Sequence, residues 1–239
     1  MLIKNGHVMD PKSGLDETLD ILIRDGKIEG IGKYPESGEY GEVIDARGKI
    51  VAPGLVDVHV HFRDPGFTYK EDKETGAASA AAGGYTTVIC MANTNPAVDN
   101  EETLSDLRKR AERLPIHVLN TAAVTKGLQG KELTDMEGLK ALGAVGFTDD
   151  GIPIKDVRLV TEAMRRAAAL RVPISFHEED PAFIVNNGIN HGAVSDELGI
   201  YGSPALAEDS LVARDGMIAL HTGAEVDIQH ISSEGAVRM

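Results

Sequence analysis

The first fifty residues alternate apolar and polar positions in short runs broken by Gly and Pro. Leu2-Ile-Lys-Asn-Gly6 reads as a strand and turn. Asp20-Ile-Leu-Ile-Arg-Asp-Gly26 reads as a strand closed by an Asp-Gly turn, with Lys27-Ile-Glu-Gly-Ile31 resuming the alternation as a hairpin partner. A further short strand falls near Val43–Asp45, so residues 1–50 are expected to form a small β-sandwich part. From about Lys49 the pattern changes. Continuous apolar runs at Leu55–Val60, Thr86–Met91, Ile116–Ala122, Ala144–Thr148, Val172–Phe176 and Glu225–Gln229 alternate with helical stretches. Those stretches lie near Lys70–Ala82, Glu101–Arg113, Asp135–Leu142, Asp156–Leu170 and Ala207–Thr222. Strands apolar throughout, each followed by a crossover helix, predict an α/β unit with a parallel sheet covered by helices over residues 51–239. Periodicity alone does not separate a barrel from an open, doubly wound sheet.

Composition narrows the class of protein. The 239 residues are 42% hydrophobic and 26% charged, as expected of a folded globular chain. A net charge of -14 argues against a general nucleic-acid or anionic-membrane binder, which needs a basic face. It leaves room for an anionic small molecule held by one or two local cations. The one cysteine, Cys90, lies in the apolar run Thr87–Met91, which excludes an internal disulfide and points to a buried thiol in a reducing compartment. The N-terminus lacks a secretory apolar region, and no apolar run approaches the roughly 18 residues of a membrane span. A soluble, cytoplasmic protein is expected.

The chemistry is concentrated where strands end. In Asp57-Val-His-Val-His61, period-two geometry puts Asp57, His59 and His61 on one face. Two imidazoles so spaced can grip one metal ion, with the preceding carboxylate in support. The fourth strand runs into Thr148-Asp-Asp150, the fifth into His177 and the sixth into His230. Four of the eight histidines thus fall at C-terminal strand ends, where a (β/α)8 barrel carries its active site. The others, His7, His117, His191 and His221, fall in the β part, inside a strand, in a loop and at a helix end. Four histidines and an aspartate on one rim suit two closely spaced divalent ions of the zinc type, whose natural chemistry is hydrolysis of an amide or its reversal.

Pro53-Gly-Leu-Val-Asp-Val-His-Val-His61 resembles the opening motif of the amidohydrolase superfamily. Its extension His61-Phe-Arg-Asp-Pro-Gly66 and the run Met91-Ala-Asn-Thr-Asn-Pro96 resemble dihydroorotases of the longer bacterial type. The resemblance extends from Asn5-Gly6 to His230. It implies a (β/α)8 TIM barrel of the metal-dependent hydrolase type, of which about six strands are present, with a small N-terminal β domain. It implies two zinc ions, His59 and His61 binding one, His177 and His230 the other, and Asp150 bridging both. Asp150 rather than Asp149 matches the ligand in the family's Thr-Asp-Asp-Gly run, leaving Asp149 to cap or support the loop. Arg63 and Asn93 would hold a substrate carboxylate, for which a guanidinium fork and an amide NH2 are suited.

The activity so implied is reversible, zinc-dependent hydrolysis of dihydroorotate to N-carbamoyl-L-aspartate, in pyrimidine biosynthesis. Two other readings remain open at this point. A hydantoinase or dihydropyrimidinase shares the opening motif, but bridges its metals with a carboxylated lysine where this chain has Gly146-Phe-Thr-Asp-Asp150. A non-catalytic scaffold for aspartate carbamoyltransferase would ordinarily have lost metal ligands, and here every ligand expected in this stretch is present. The resemblance is compatible with a homodimer or with a carbamoyltransferase partner. The sequence stops after the sixth strand, before the eighth-strand aspartate that serves the family as general acid and base. It is therefore read as an incomplete barrel with negligible activity alone.

Overall fold

A computed structural model describes residues 1–185 and 188–239, and the chain divides into two compact units, Met1–Leu55 and Val56–Met239. The first is built from β1 (Leu2–Asp10), β2 (Leu15–Arg24), β3 (Lys27–Gly32), β4 (Val43–Asp45) and β5 (Ile50–Val51). These form one five-stranded sheet in the order β3-β2-β1-β4, with β5 also pairing with β1. The expected hairpin joins β2 and β3. Asp25 and Gly26 both take positive φ, 49° and 72°, as a two-residue turn matching strand twist requires.

Two expectations change in this unit. Asn5-Gly6 is a bulge inside β1 rather than a turn. The register with β2 shifts between Ile3 and Gly6, Asn5 takes φ 60°, and the strand runs on to Asp10. β2 starts at Leu15 instead of Asp20, because its charged outer half still pairs along β1. Asp20 is buried within the sheet, accepting from the backbone N–H groups of Asn5 (2.8 Å) and Tyr34 (3.0 Å). One sheet, with no second layer among the described residues, makes up this unit.

In the second unit, strands and helices alternate nearly as the pattern predicts. β6 (Leu55–Val60) leads through α1 (Lys73–Ala82) to β7 (Tyr85–Cys90), then α2 (Glu101–Ala111), β8 (His117–Asn120), α3 (Met136–Ala141) and β9 (Phe147–Thr148). α4 (Val157–Leu170), β10 (Ile174–Phe176), α5 (Ala193–Glu197), α6 (Leu206–Thr222), β11 (Val226–Ile228) and α7 (Glu234–Arg238) complete it. The short helices α5 and α7 have no counterpart in the sequence reading. Helix starts follow their caps: Asp72, Asn100, Asp135 and Asp156 each accept a backbone N–H of the first turn.

The strands form two three-stranded sheets, β6-β7-β8 and β9-β10-β11, and the isolated parallel bridge Ala122–Phe147 joins them. β7–β8, β9–β10 and β10–β11 are parallel. The six strands thus follow one another in order, and no closed barrel forms among the described residues. A large apolar core, including Leu104, Leu139, Phe147, Met164 and Ile174, packs α2, α3 and α4 against the strands. A smaller one, including Phe62, Ala77 and Val88, lies under α1. Cys90 is a buried free thiol, as expected. No helix among the described residues is long and apolar enough to cross a membrane.

Candidate metal centre

The strand-end residues converge. His59 Nε2 lies 3.1 Å from His61 Nε2, and these atoms lie 3.8 and 3.3 Å from Asp150 Oδ1 and Oδ2. On the other side of the same carboxylate, His177 Nδ1 is 3.8 Å from Asp150 Oδ1 and 2.9 Å from His230 Nε2. Two groups of three donors result, His59–His61–Asp150 and Asp150–His177–His230, and within each the donor atoms lie within 4.8 Å of one another. Asp150 belongs to both. Neutral imidazole and carboxylate are the donors that zinc-type ions take, and donors this close fit the two ions expected from the sequence.

Each donor is delivered by the end of a strand. His59 and His61 leave β6 on one face. The Asp57 carboxylate accepts the His59 backbone N–H (2.9 Å) within β6 rather than supporting a ring. Asp150 follows β9 and is buried; His59, His61 and His177 are each about one quarter exposed, and His230 is exposed. Burial, opposed by the Asp150 charge, pushes the His61 pKa below its ordinary value, with Arg63 and His59 adding to the decrease. That favours the neutral ring a metal needs.

Asp149 does not reach the donor cluster. Its carboxylate accepts from the Thr125 backbone N–H (3.0 Å) and hydroxyl, and burial raises its pKa to about 6. It anchors the loop that presents Asp150, the supporting role expected for it.

Arg63 sits just beyond the histidine pair, half-buried, with φ 58°. Among the described residues its guanidinium has no hydrogen bond or ion pair, yet its charge is felt at His61. A non-glycine residue held in the left-handed region beside a donor cluster marks a constrained position. Its loop is pinned on both sides. Asp64 makes a two-pronged ion pair with Arg110, and Asn95 N–H donates to Pro65 O (3.1 Å). Asn93 lies on the second loop so stitched, placed against the candidate donors: its Oδ1 is 3.0 Å from His61 Nδ1, and its Nδ2 donates to Asp150 Oδ2 at 2.7 Å.

Several polar groups near the centre went unread in the sequence. Glu178, next to His177, is buried against Asp215, and burial followed by that neighbour pushes its pKa up to about 9. Asp215 is held by Arg214 from α6 at 2.6 and 2.8 Å. Gln229 donates to Thr148 Oγ1 (3.2 Å) and Ser175 Oγ (2.9 Å), tying together the three strands that carry Asp150, His177 and His230. Asp227 and Gln229 share a face of the last strand, and that alternation was the available signal. The remaining histidines belong to neither donor group: His7 pairs with Asp16, His191 lies 3.6 Å from Asp196 in a cleft that His230 also lines, His117 is exposed on β8, and His221 lies in the last turn of α6.

Fold and donors together define the class: an α/β protein presenting a candidate divalent-metal centre from the ends of consecutive strands. The chain belongs to the dihydro-orotase-like family, whose profile matches residues 48–236. It is 61% identical over 239 residues to a dihydroorotase of Clostridioides difficile (strain 630), a match covering 100% of this chain and 57% of that protein. A dihydroorotase of Clostridium acetobutylicum is 53% identical over 98% of this chain and 55% of its own length. The chain therefore spans little more than half of these relatives. Among solved structures, the L-hydantoinase (dihydropyrimidinase) from Arthrobacter aurescens matches with a TM-score of 0.83 at 24% identity, over 99% of this chain and 54% of that one, a likeness of fold.

Proposed function

We propose that this chain supplies the two-metal centre and the carboxylate-binding loop of a dihydroorotase, acting within a (β/α)8 barrel of which β6 to β11 are six strands. The reaction is the reversible hydrolysis of dihydroorotate to N-carbamoyl-L-aspartate, with zinc as the metal. One observation carries the reading: a single buried carboxylate, Asp150, is shared by two histidine pairs, with an unpaired guanidinium, Arg63, just beyond them.

Two divalent ions, when bound, supply Lewis acidity toward a ring-amide carbonyl and toward the water that attacks it. His59 and His61 would hold one, His177 and His230 the other, and Asp150 both. Arg63 orients the ring by pairing with the substrate carboxylate, at a rim where Asn93 also stands; fixing the ring in this way lowers the entropic part of the barrier. A hydantoinase reading is less well supported, because the shared bridging place is filled by Asp150 and a neutral substrate would leave Arg63 without a counter-charge. The remaining catalytic groups would belong to the part of the relatives that has no counterpart here, so the chain alone turns over slowly. A homodimer or a carbamoyltransferase partner is compatible with this reading.

The test is metal analysis together with ligand binding. The zinc-loaded chain is expected to hold two ions and to bind dihydroorotate in preference to dihydrouracil, which lacks the carboxylate; Arg63→Met should abolish the preference. Equal binding of both ligands would overturn the substrate assignment. Cyclisation of N-carbamoyl-aspartate by this chain alone, at the rate of a complete enzyme, would overturn the division of labour.

A further inference from the structure

We infer that Glu208, in the first turn of α6, is a positioning residue of the candidate metal centre: its carboxylate clamps the loop after β11 and so holds His230 beside His177. The inference rests on the two-metal reading above and adds to it a residue that lies outside both donor groups.

His230 needs such a hold. It stands past the end of β11, it is exposed, and its φ is 37°. A non-glycine residue persists in the left-handed region only where the surrounding structure over-determines it. Immediately beyond it the chain is gripped. Ser232 N–H lies 3.1 and 3.0 Å from Glu208 Oε1 and Oε2, and the Ser232 hydroxyl donates to Oε2 at 2.8 Å. Ser233 N–H donates to Oε1 at 2.8 Å. Both oxygens of one carboxylate are thus committed to two successive residues of one loop, which fixes its orientation as well as its position. The neighbouring Asp209 accepts the Ser233 hydroxyl, and Ser233 Oγ in turn accepts Ala236 N–H at 3.0 Å and caps α7.

The same turn of α6 reaches the loop of the other histidine. Ala207, buried next to Glu208, accepts Asp180 N–H at 2.9 Å, just beyond His177. One helical turn therefore sets the spacing of the two loops whose imidazoles meet edge to face, with centroids 4.6 Å apart and His230 Nε2 2.9 Å from His177 Nδ1. His59 and His61 leave β6, on the other three-stranded sheet, so the loss of the clamp falls on one donor group.

Groups that orient metal ligands typically contribute roughly 10- to 100-fold in metal affinity. Zinc titration of the full chain against a chromophoric chelator should show two ions in the parent. In Glu208→Ala the affinity for one ion should fall by about 10- to 100-fold, while the other stays within about twofold. Glu208→Gln, which keeps one acceptor oxygen, should fall between parent and Glu208→Ala. Val212→Ala, a truncation of a buried residue in the same helix, should lower Tm and leave both affinities within about twofold, a contrast that a merely structural role of Glu208 would erase. Hydrogen exchange in the metal-free parent needs no variant, so it stands if Glu208→Ala folds poorly: the Ser232 and Ser233 amides should be protected. Rapid exchange at both amides overturns the inference. So does equal weakening of both ions, or undiminished affinity for both, in a folded Glu208→Ala chain. Failure of the parent to bind two ions would instead count against the two-metal reading, and the amide exchange would still decide whether Glu208 holds the loop.

Discussion

Lys73 is a charged residue in a place that opposes charge. It is fully buried, it is the first residue of α1, where the helix dipole is positive, and its Nζ has one long hydrogen bond, 3.5 Å to Asn120 Oδ1. The groups around it are Cys90 on β7, Asp64, Arg110 on α2 and Glu74. Burial outweighs the favourable acids and pulls its pKa below the ordinary 10.5. Lys73→Met keeps the length of the side chain and removes the ammonium. An under-bonded buried polar group costs about 1–3 kcal/mol, and the variant gives back up to about 1 kcal/mol by leaving Asn120 Oδ1 without this donor. The expected net gain at neutral pH is about 1–2 kcal/mol, or roughly 2–8 °C in Tm for a chain of this size.

The pH dependence is the sharper readout. Between the lowered folded pKa and 10.5, the unfolded chain keeps a proton on Lys73 that the folded chain has lost. The stability of the parent therefore rises with pH through that window, relative to the variant. Cys90 acts the other way, since burial raises its pKa and the folded thiol keeps its proton longer, but it is present in both chains. Urea unfolding of parent and Lys73→Met from pH 7 to 10 should give stability curves that converge as pH rises. A variant less stable than the parent at pH 7, or two parallel curves, would refute this account and mean that the ammonium is well paired.

Two further predictions concern the centre. Gly66 has φ +91°, and an added Cβ would lie 2.7 Å from Asn95 Cβ and closer still to the Asn95 carbonyl oxygen. Gly66→Ala should therefore cost at least about 1–3 kcal/mol in backbone strain, lower Tm, and weaken dihydroorotate binding by displacing Arg63; an unchanged Tm would refute the close fit of the two loops. Asp150→Ala leaves each histidine pair with two donors in place of three, so the bound zinc should drop from two ions to one or none by elemental analysis; unchanged stoichiometry would exclude Asp150 as the shared ligand.

The parts of this site that were legible in the sequence are those fixed by period. His59 and His61 share a face because a strand alternates, and His177, His230 and Asp150 stand at strand ends because the apolar runs stop there. What was not legible depends on contacts between loops distant in sequence. The Asp-Gly turn at residues 25–26 announces its hairpin, while Asn5-Gly6, an equally good turn by composition, is absorbed as a bulge because β1 has partners on both sides. Asn93 reads as a loop residue before Thr-Asn-Pro, and only the approach of the β9 end gives its amide two partners. Lys73 continues a polar stretch, Lys70 to Glu74, and nothing local says that one of those charges is buried.

The arrangement of strands adds a reason for the shared carboxylate. His59 and His61 come from one three-stranded sheet, and Asp150, His177 and His230 from the other. Backbone pairing joins the sheets around the bridge Ala122–Phe147, with Val145 N–H donating to Asn120 O (3.1 Å), Ala122 N–H to Gly146 O (3.0 Å) and Thr148 N–H to Ala122 O (2.9 Å). Side chains add to the join: Asn93 reaches from the end of β7 to Asp150, and Thr125, beyond β8, holds Asp149. A carboxylate that belongs to both donor groups sits where the two sheets meet. Ions bound there would stabilise the fold by mass action, because an unfolded chain has no such site. In this chain the centre that would bind the substrate also ties together the two halves of the sheet that present it.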